Sequence, residues 1–304
     1  MLIFPGLLFL SAYAILFEFL DRYVHARLQN RQGPPFYQPV ADFIKLVSKE
    51  TIIPDDADKP VFKALPIFAF AAVTTAFIYI PVYSINSLYP MEGDLIIVLY
   101  LLTIPTFIFF LAGWFSSSVY ATIGAVRAVT QLFSYEVPLF MSLLAPAILA
   151  DTWSISGIAA FYAANPLYIL INLPAFFVAI ISIQGKLERV PFDLPEAETE
   201  IVAGTFTEYS GRFLAMFRLA IDIELVVVSA LIAAIFFPFF SANPVLCFVF
   251  FVIKTLIVLF ILALFRSVMA RIRIEQMIIF CWKVLAPLAL LQILVNLLVK
   301  GALL

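Results

Sequence analysis

The sequence predicts an all-α, polytopic membrane protein. It reads as a single transmembrane domain over 1–304 that crosses the bilayer about eight times, with a short amphipathic helix in the first cytoplasmic loop. Three observations carry this. Hydrophobic residues make up 64% of the chain and charged residues 12%, against roughly 45–50% and about 25% in an ordinary soluble domain; mean hydropathy is +1.09. Apolar runs of about 20 residues, the length that spans a 30 Å hydrocarbon core, recur along the whole chain. Basic residues crowd into alternate connecting segments.

The runs are 2–20, 62–83, 94–115, 120–150, 165–187, 208–237, 243–265 and 277–299. The first has no basic residue before it and no small-x-small cleavage site, so it is expected to be a retained transmembrane helix. The fourth and sixth exceed the minimum length and carry charges, which predicts tilting, breaking or a start outside the hydrocarbon. Between the first two runs lie Arg22, Arg27, Arg31, Lys45, Lys49, Lys59 and Lys63. Lys186, Arg189 and Arg212 mark the five–six loop, and Arg266, Arg271 and Arg273 the seven–eight loop. The two–three, four–five and six–seven loops hold no Lys or Arg. Odd loops are therefore expected on the cytoplasmic side of the cell membrane, with both termini outside. Within the first loop, Val40, Phe43, Ile44 and Val47 recur at helical spacing with Asp42 and Lys45 opposite, which suits a helix on the membrane surface or against a partner subunit.

Much chemistry is excluded. A bis-histidine haem needs two histidines and only His25 is present. Iron–sulfur clusters want about four thiolates, and the chain has two cysteines, Cys247 and Cys281, each inside an apolar run. No Gly-rich phosphate loop occurs, no metal site is expected, and no basic run suggests nucleic acid. Catalytic residues and cofactors are expected to be absent from this chain.

The informative residues are ionisable groups in or beside apolar runs, each costing about 2.5–3.5 kcal/mol on insertion scales. They are Glu18, Arg127, Glu136, Arg218, Asp222, Glu224, Lys254 and Lys283. Arg218 and Asp222, four apart, could neutralise each other. Glu136 stands about two and a half turns from Arg127 and has no local cation; Lys254 is equally alone in its run. The densest feature is the five–six loop, where Asp193, Glu196, Glu198, Glu200 and Glu208 crowd together. Asp193 and Glu196 have the spacing of a capping box with Pro195 in the first turn. The remaining carboxylates point to a set that exchanges protons as a coupled group.

Four stretches resemble the membrane subunit 1 (H-type) family of respiratory complex I, which includes relatives in membrane-bound hydrogenases. They are Arg27-Leu-Gln-Asn-Arg-Gln-Gly-Pro with Gln38-Pro-Val-Ala-Asp-Phe-Ile-Lys; Gln131-Leu-Phe-Ser-Tyr-Glu-Val-Pro; Pro191-Phe-Asp-Leu-Pro-Glu-Ala-Glu-Thr-Glu through Glu208-Tyr-Ser-Gly; and Arg271-Ile-Arg-Ile-Glu-Gln with Trp282-Lys-Val-Leu-Ala-Pro. The resemblance implies an eight-helix subunit on which a peripheral redox arm docks, with an acidic path through Glu136, Asp193, Glu196, Glu198, Glu200 and Glu208. Asp222, Glu224 and Lys254 are added to that path as intramembrane charges. Asp21, Arg22, Arg27, Arg31, Arg189, Arg271 and Arg273 are expected at the docking face. Only Pro35, Phe36 and Tyr37 separate Pro34 from Gln38, and Gln32 replaces a usual Arg. Both traits resemble the hydrogenase branch rather than the quinone-reducing one.

The expected role is a membrane-anchoring, coupling subunit that links electron transfer in the peripheral arm to proton or sodium movement. Its partners would be hydrogenase-like large and small subunits, antiporter-like membrane subunits and lipid. Those partners would hold the iron–sulfur clusters and any nickel–iron centre. The rivals are a quinone-site subunit and a self-contained transporter; the inverted repeats of the latter are not visible in the sequence.

Overall fold

The computed structural model describes residues 6–241 and 243–303, with the side chains of residues 198, 199, 302 and 303 outside the description. Residues 2–5 of the first apolar run are therefore not described. No strand occurs among the described residues.

Helix α1 spans Leu7–Leu28. It runs past the end of the first apolar run, so Asp21, Arg22 and Arg27 lie on its last turns rather than in a loop. Helix α2, Gln38–Ser48, is the amphipathic segment, with Pro39 in its first turn. Its Val40, Ile44 and Val47 are exposed. Asp42, Lys45 and Lys49 turn inward with Pro39, Phe43 and Leu46 to wall a cavity of the same chain. The helix thus offers its apolar edge outward and its charges inward, the arrangement of a helix at a lipid boundary.

Helices α3 (Lys59–Ile78), α4 (Asp94–Trp114) and α5 (Val119–Ala150) follow. The Asp58 carboxylate caps α3 by accepting from Val61 N. Helix α6 (Ile155–Ala164) lies in what the sequence reads as an outer loop. The fifth run is not one helix. A single turn, α7 (Tyr168–Ile171), and α8 (Leu173–Lys186) meet at Asn172. The five–six loop contains one short turn of helix, α9 (Glu198–Ile201), and a 3₁₀ turn at Gly204–Phe206. Helices α10 (Gly211–Phe236) and α11 (Pro244–Val268) are long and apolar. The last span starts as α12 (Ile274–Phe280), passes through a π turn at Cys281–Leu285 and ends as α13 (Ala286–Leu303).

Among the described residues, six helices are long and apolar enough to cross a membrane. The two remaining runs differ for stated reasons: α1 carries Glu18, Asp21 and Arg22, and the fifth run is broken at Asn172. Helix α10 is the axis of the bundle. Every residue from Ile223 to Phe236 is buried, because α1, α3, α6, α8 and α11 all pack against it. Backbone groups freed at the break need partners inside lipid, and α13 supplies them. Gln292 Nε2 donates to Ile171 O at 2.8 Å, and Asn296 Nδ2 donates to Asn172 Oδ1 and Ala145 O, both at 2.7 Å.

The capping box expected at Asp193–Glu196 does not form, since the helix after it begins only at Glu198. The loop is instead held by rings. Phe62 and Tyr209 stack with centroids 3.9 Å apart, and Phe109, Phe206 and Phe217 pack edge-on around them. Gly124 of α5 permits the closest approach, because a β-carbon there would lie 2.7 Å from Thr205 N.

Candidate functional site

A cavity of about 650 Å³ opens where α1, α2, the five–six loop, α10 and the seven–eight segment converge. Its wall is mostly charged: Glu18, Arg22, Asp42, Lys45, Lys49, Glu188, Arg189, Asp193, Glu196, Arg218, Asp222, Arg266 and Arg271. These come from the three segments that the sequence reads as cytoplasmic.

Ion pairs fix this wall. Arg22 reaches Glu18 at 2.6 Å and Asp42 at 3.0 Å, tying α1 to α2. Asp21, wholly buried, meets Arg189 at 2.9 Å and Arg266 at 3.0 Å, joining α1, the five–six loop and α11. Arg189 also faces Glu18 at 3.6 Å. Asp21 and Arg189 are consequently interior struts and cannot form the outer docking face expected of them. Arg27, Arg31, Arg271 and Arg273 are at least partly exposed, and Arg22 is nearly half-exposed.

The expected pairing of Arg218 with Asp222 is absent. Glu196 folds over the end of α10 and takes Arg218 at 3.4 Å. Asp222 faces the cavity within the field of Arg22, Arg189 and Arg218, with no ion pair among the described residues. Glu200 lies outside the cavity, paired with Arg127 at 2.6 Å and approached by Arg271 at 4.0 Å. Its hydrogen bond to Arg127 holds its carboxyl below the ordinary glutamate range. Glu208 sits half-buried in the turn before α10, away from the cavity lining. The side chain of Glu198 lies outside the described residues.

Two residues that sequence reasoning missed stand behind the wall. Glu188 lines the cavity, with one carboxylate oxygen buried and unpartnered. Burial, with Glu196, Glu224 and Asp193 nearby, pushes its carboxyl well above the ordinary value of 4.5. Lys186, the last residue of α8, counts as a loop cation in the charge pattern. It is in fact buried against Glu224 of α10 at 2.7 Å, both side chains 2% exposed, and it donates to the carbonyl of Leu102. The usable signal was an acid inside one apolar run and a base at the edge of another.

Glu136 on α5 is half-buried, and Lys186 is the charge that acts on it. Both line a void of about 10 Å³, together with Leu102, Thr103 and Tyr135. The structure therefore brings Asp193, Glu196, Asp222, Glu224 and Glu136 around one region. Lys254 is not part of it. Its ammonium donates to Phe239 O at 3.2 Å and lies 4.0 Å from the Phe240 ring centroid, so it fastens the α10–α11 connection and is not a lone charge.

These features define a membrane-embedded, multi-pass helical subunit with a charged chamber at one end and ionisable groups leading inward from it. The sequence model of the NADH dehydrogenase family matches residues 2–297, and the chain belongs to that family, as a subunit 1 (H-type) member. It is 38% identical to the NADH-quinone oxidoreductase H subunit of Thermomicrobium roseum, over 94% of this chain and 90% of that one. It is 34% identical to the H subunit of the same enzyme in Syntrophotalea carbinolica, over 97% and 93% of the two chains. A chain of the membrane-bound sulfane sulfur reductase, an archaeal respiratory membrane complex, superposes with a TM-score of 0.85 at 27% identity, covering 95% of this chain and 96% of its own. The protein is thus a membrane subunit of a multisubunit, complex-I-like respiratory oxidoreductase.

Proposed function

We propose that this chain anchors and couples a hydrogenase-type member of that class, linking electron transfer in a peripheral arm to proton or sodium translocation. The observation that carries the reading is the ordered series of ionisable groups. Asp193 and Glu196 stand on the cavity wall, Glu188 behind them, then the buried Lys186–Glu224 pair, then Glu136 in α5. Groups so placed change charge state at modest cost when a neighbouring charge changes. The chain itself holds no electrons in this reading. Iron–sulfur clusters, and any nickel–iron centre, belong to hydrogenase-like large and small subunits docked at Arg27, Arg31, Arg271 and Arg273, and antiporter-like subunits continue the membrane arm.

The hydrogenase branch is favoured by the three-residue interval between Pro34 and Gln38 and by the likeness to the sulfane sulfur reductase chain. A wall of paired charges suits water and ions better than an apolar quinone ring. The clustering of the three basic segments at one cavity supports a cytoplasmic chamber with both termini on the outer side of the cell membrane.

The test is Glu136→Gln in the assembled complex, which keeps shape but cannot exchange a proton. Ion uptake per electron should fall sharply in vesicles while donor-driven turnover persists. Unchanged stoichiometry at normal turnover would make Glu136 structural and remove the coupling role.

A further inference from the structure

We infer that Lys186 is the moving cation of a two-carboxylate switch: its ammonium pairs with Glu224 in the state seen here and with Glu136 in a second state. The inference rests on the coupling role proposed above and adds the element that would gate it. Three observations support it.

The first is valence. An ammonium has three donors. Lys186 gives one to Glu224 at 2.7 Å and one to the Leu102 carbonyl. The third has no partner among the described residues, and the lysine lines the small void that Glu136 also lines. At about 10 Å³ the void is about the room one water needs. The second is isolation. Among the described residues Glu136 makes no ion pair, and Lys186 is the charged side chain that acts on it. Tyr135, beside the void, is already tied to Thr106 at 3.1 Å, so it does not compete for the ammonium. The third is placement. Lys186 ends α8, immediately before the loop that carries Glu188, and a flexible four-carbon stem lets its charge move without moving the helix. A buried ion pair is weak as a stabilising device, because desolvation cancels most of the attraction. Shared between two acids, the same pair becomes bistable.

The step balances with one proton in and one out. A proton from cavity water, delivered by way of Glu188, neutralises the Glu224 carboxylate. The ammonium, protonated throughout, loses its partner and moves to Glu136. Glu136, protonated until then, releases its proton onward and takes the ammonium as counter-ion. Return of the ammonium to Glu224 follows when that acid gives its proton up.

The experiment measures ions moved per electron in vesicles holding the whole complex, driven by its soluble donor. Lys186→Met keeps the stem and removes the charge. Glu224→Gln leaves the ammonium permanently with Glu136. Both should cut the ratio roughly tenfold, equivalent to about 1.4 kcal/mol of lost bias between the two states. The exchange Lys186→Glu with Glu224→Lys rebuilds the buried pair with its cation on α10, and it should not restore the ratio. A ratio kept by Lys186→Met, or restored by the exchange, overturns the switch and leaves a structural pair. If Lys186→Met does not assemble, Glu224→Gln decides alone, a kept ratio overturning the switch and a lost one supporting it. The coupling role fails separately, by a wild-type complex that moves no ions or by a Glu136→Gln ratio equal to wild type.

Discussion

Asp21→Asn separates an interior strut from a docking residue. The carboxylate is fully buried and holds Arg189 at 2.9 Å and Arg266 at 3.0 Å. Asparagine keeps the volume but leaves two guanidinium groups facing an uncharged amide. Removing one partner of a buried pair costs about 3–5 kcal/mol, chiefly because the remaining charge is stranded. Here Arg189 retains Glu18 at 3.6 Å, and the Arg266 side chain is 31% exposed and can be hydrated. Both effects place the loss at the low end, about 3 kcal/mol. For a chain of this size that lowers the unfolding midpoint by roughly 5–10 °C. The assay is heat-induced unfolding of the purified complex, followed by tryptophan fluorescence. Arg266→Gln added to Asp21→Asn should cost little more, since the two share one interaction. A midpoint lowered by less than about 2 °C, with the peripheral arm released instead, would refute the strut and return Asp21 to the docking face.

Glu188 gives a pH signature. Its carboxyl titrates above its ordinary 4.5 in the folded chain, so the folded state binds more protons than the unfolded one. Stability should therefore fall as pH rises from about 4.5 toward its raised value, and Glu188→Gln should flatten that slope in thermal melts at stepped pH. Gly124→Ala puts a β-carbon 2.7 Å from Thr205 N. It should cost about 1–3 kcal/mol and expose the five–six loop to protease, whereas wild-type resistance would show that the contact yields. For topology, Asn165→Cys and Ser48→Cys are both exposed positions, and an impermeant thiol reagent on intact cells should label the first and spare the second. Ser156, in the same outer segment as Asn165, is buried and accepts from Ser87 N, so it cannot serve as the probe.

The membrane class and the positions of the spans were legible because lipid imposes one rule on every stretch of backbone: about 20 apolar residues, internally hydrogen-bonded. The break at Asn172 was not, because one Asn followed by Leu173 and Pro174 barely lowers hydropathy, and the groups that satisfy the break come from Gln292 and Asn296, far along the chain. The acids of the site were visible one by one. Their grouping was not, since Arg218 chose Glu196 over its helical neighbour Asp222 and Lys254 found a carbonyl and a ring. Lys186 was hidden by its position: at the edge of an apolar run, a lysine reads as the cytoplasmic anchor that the charge rule expects. Only the burial of its side chain beside Glu224 shows otherwise.

The π turn in the last helix sets its angular phase. Met277, Cys281, Leu285 and Ala289 are all buried, four residues apart each time. At about 100° per residue, the twelve steps from Met277 to Ala289 would rotate the stripe about 120° away from its start. One residue absorbed by the π turn leaves about 20°. The same offset aims Gln292 and Asn296 at the break in the fifth span. Deleting a single residue within Cys281–Leu285 would let an unbroken α-helix form, better hydrogen-bonded in itself, yet swing both amides toward lipid and leave the carbonyls around Asn172 without their donors. The irregular turn is a local fault that keeps a distant repair in register.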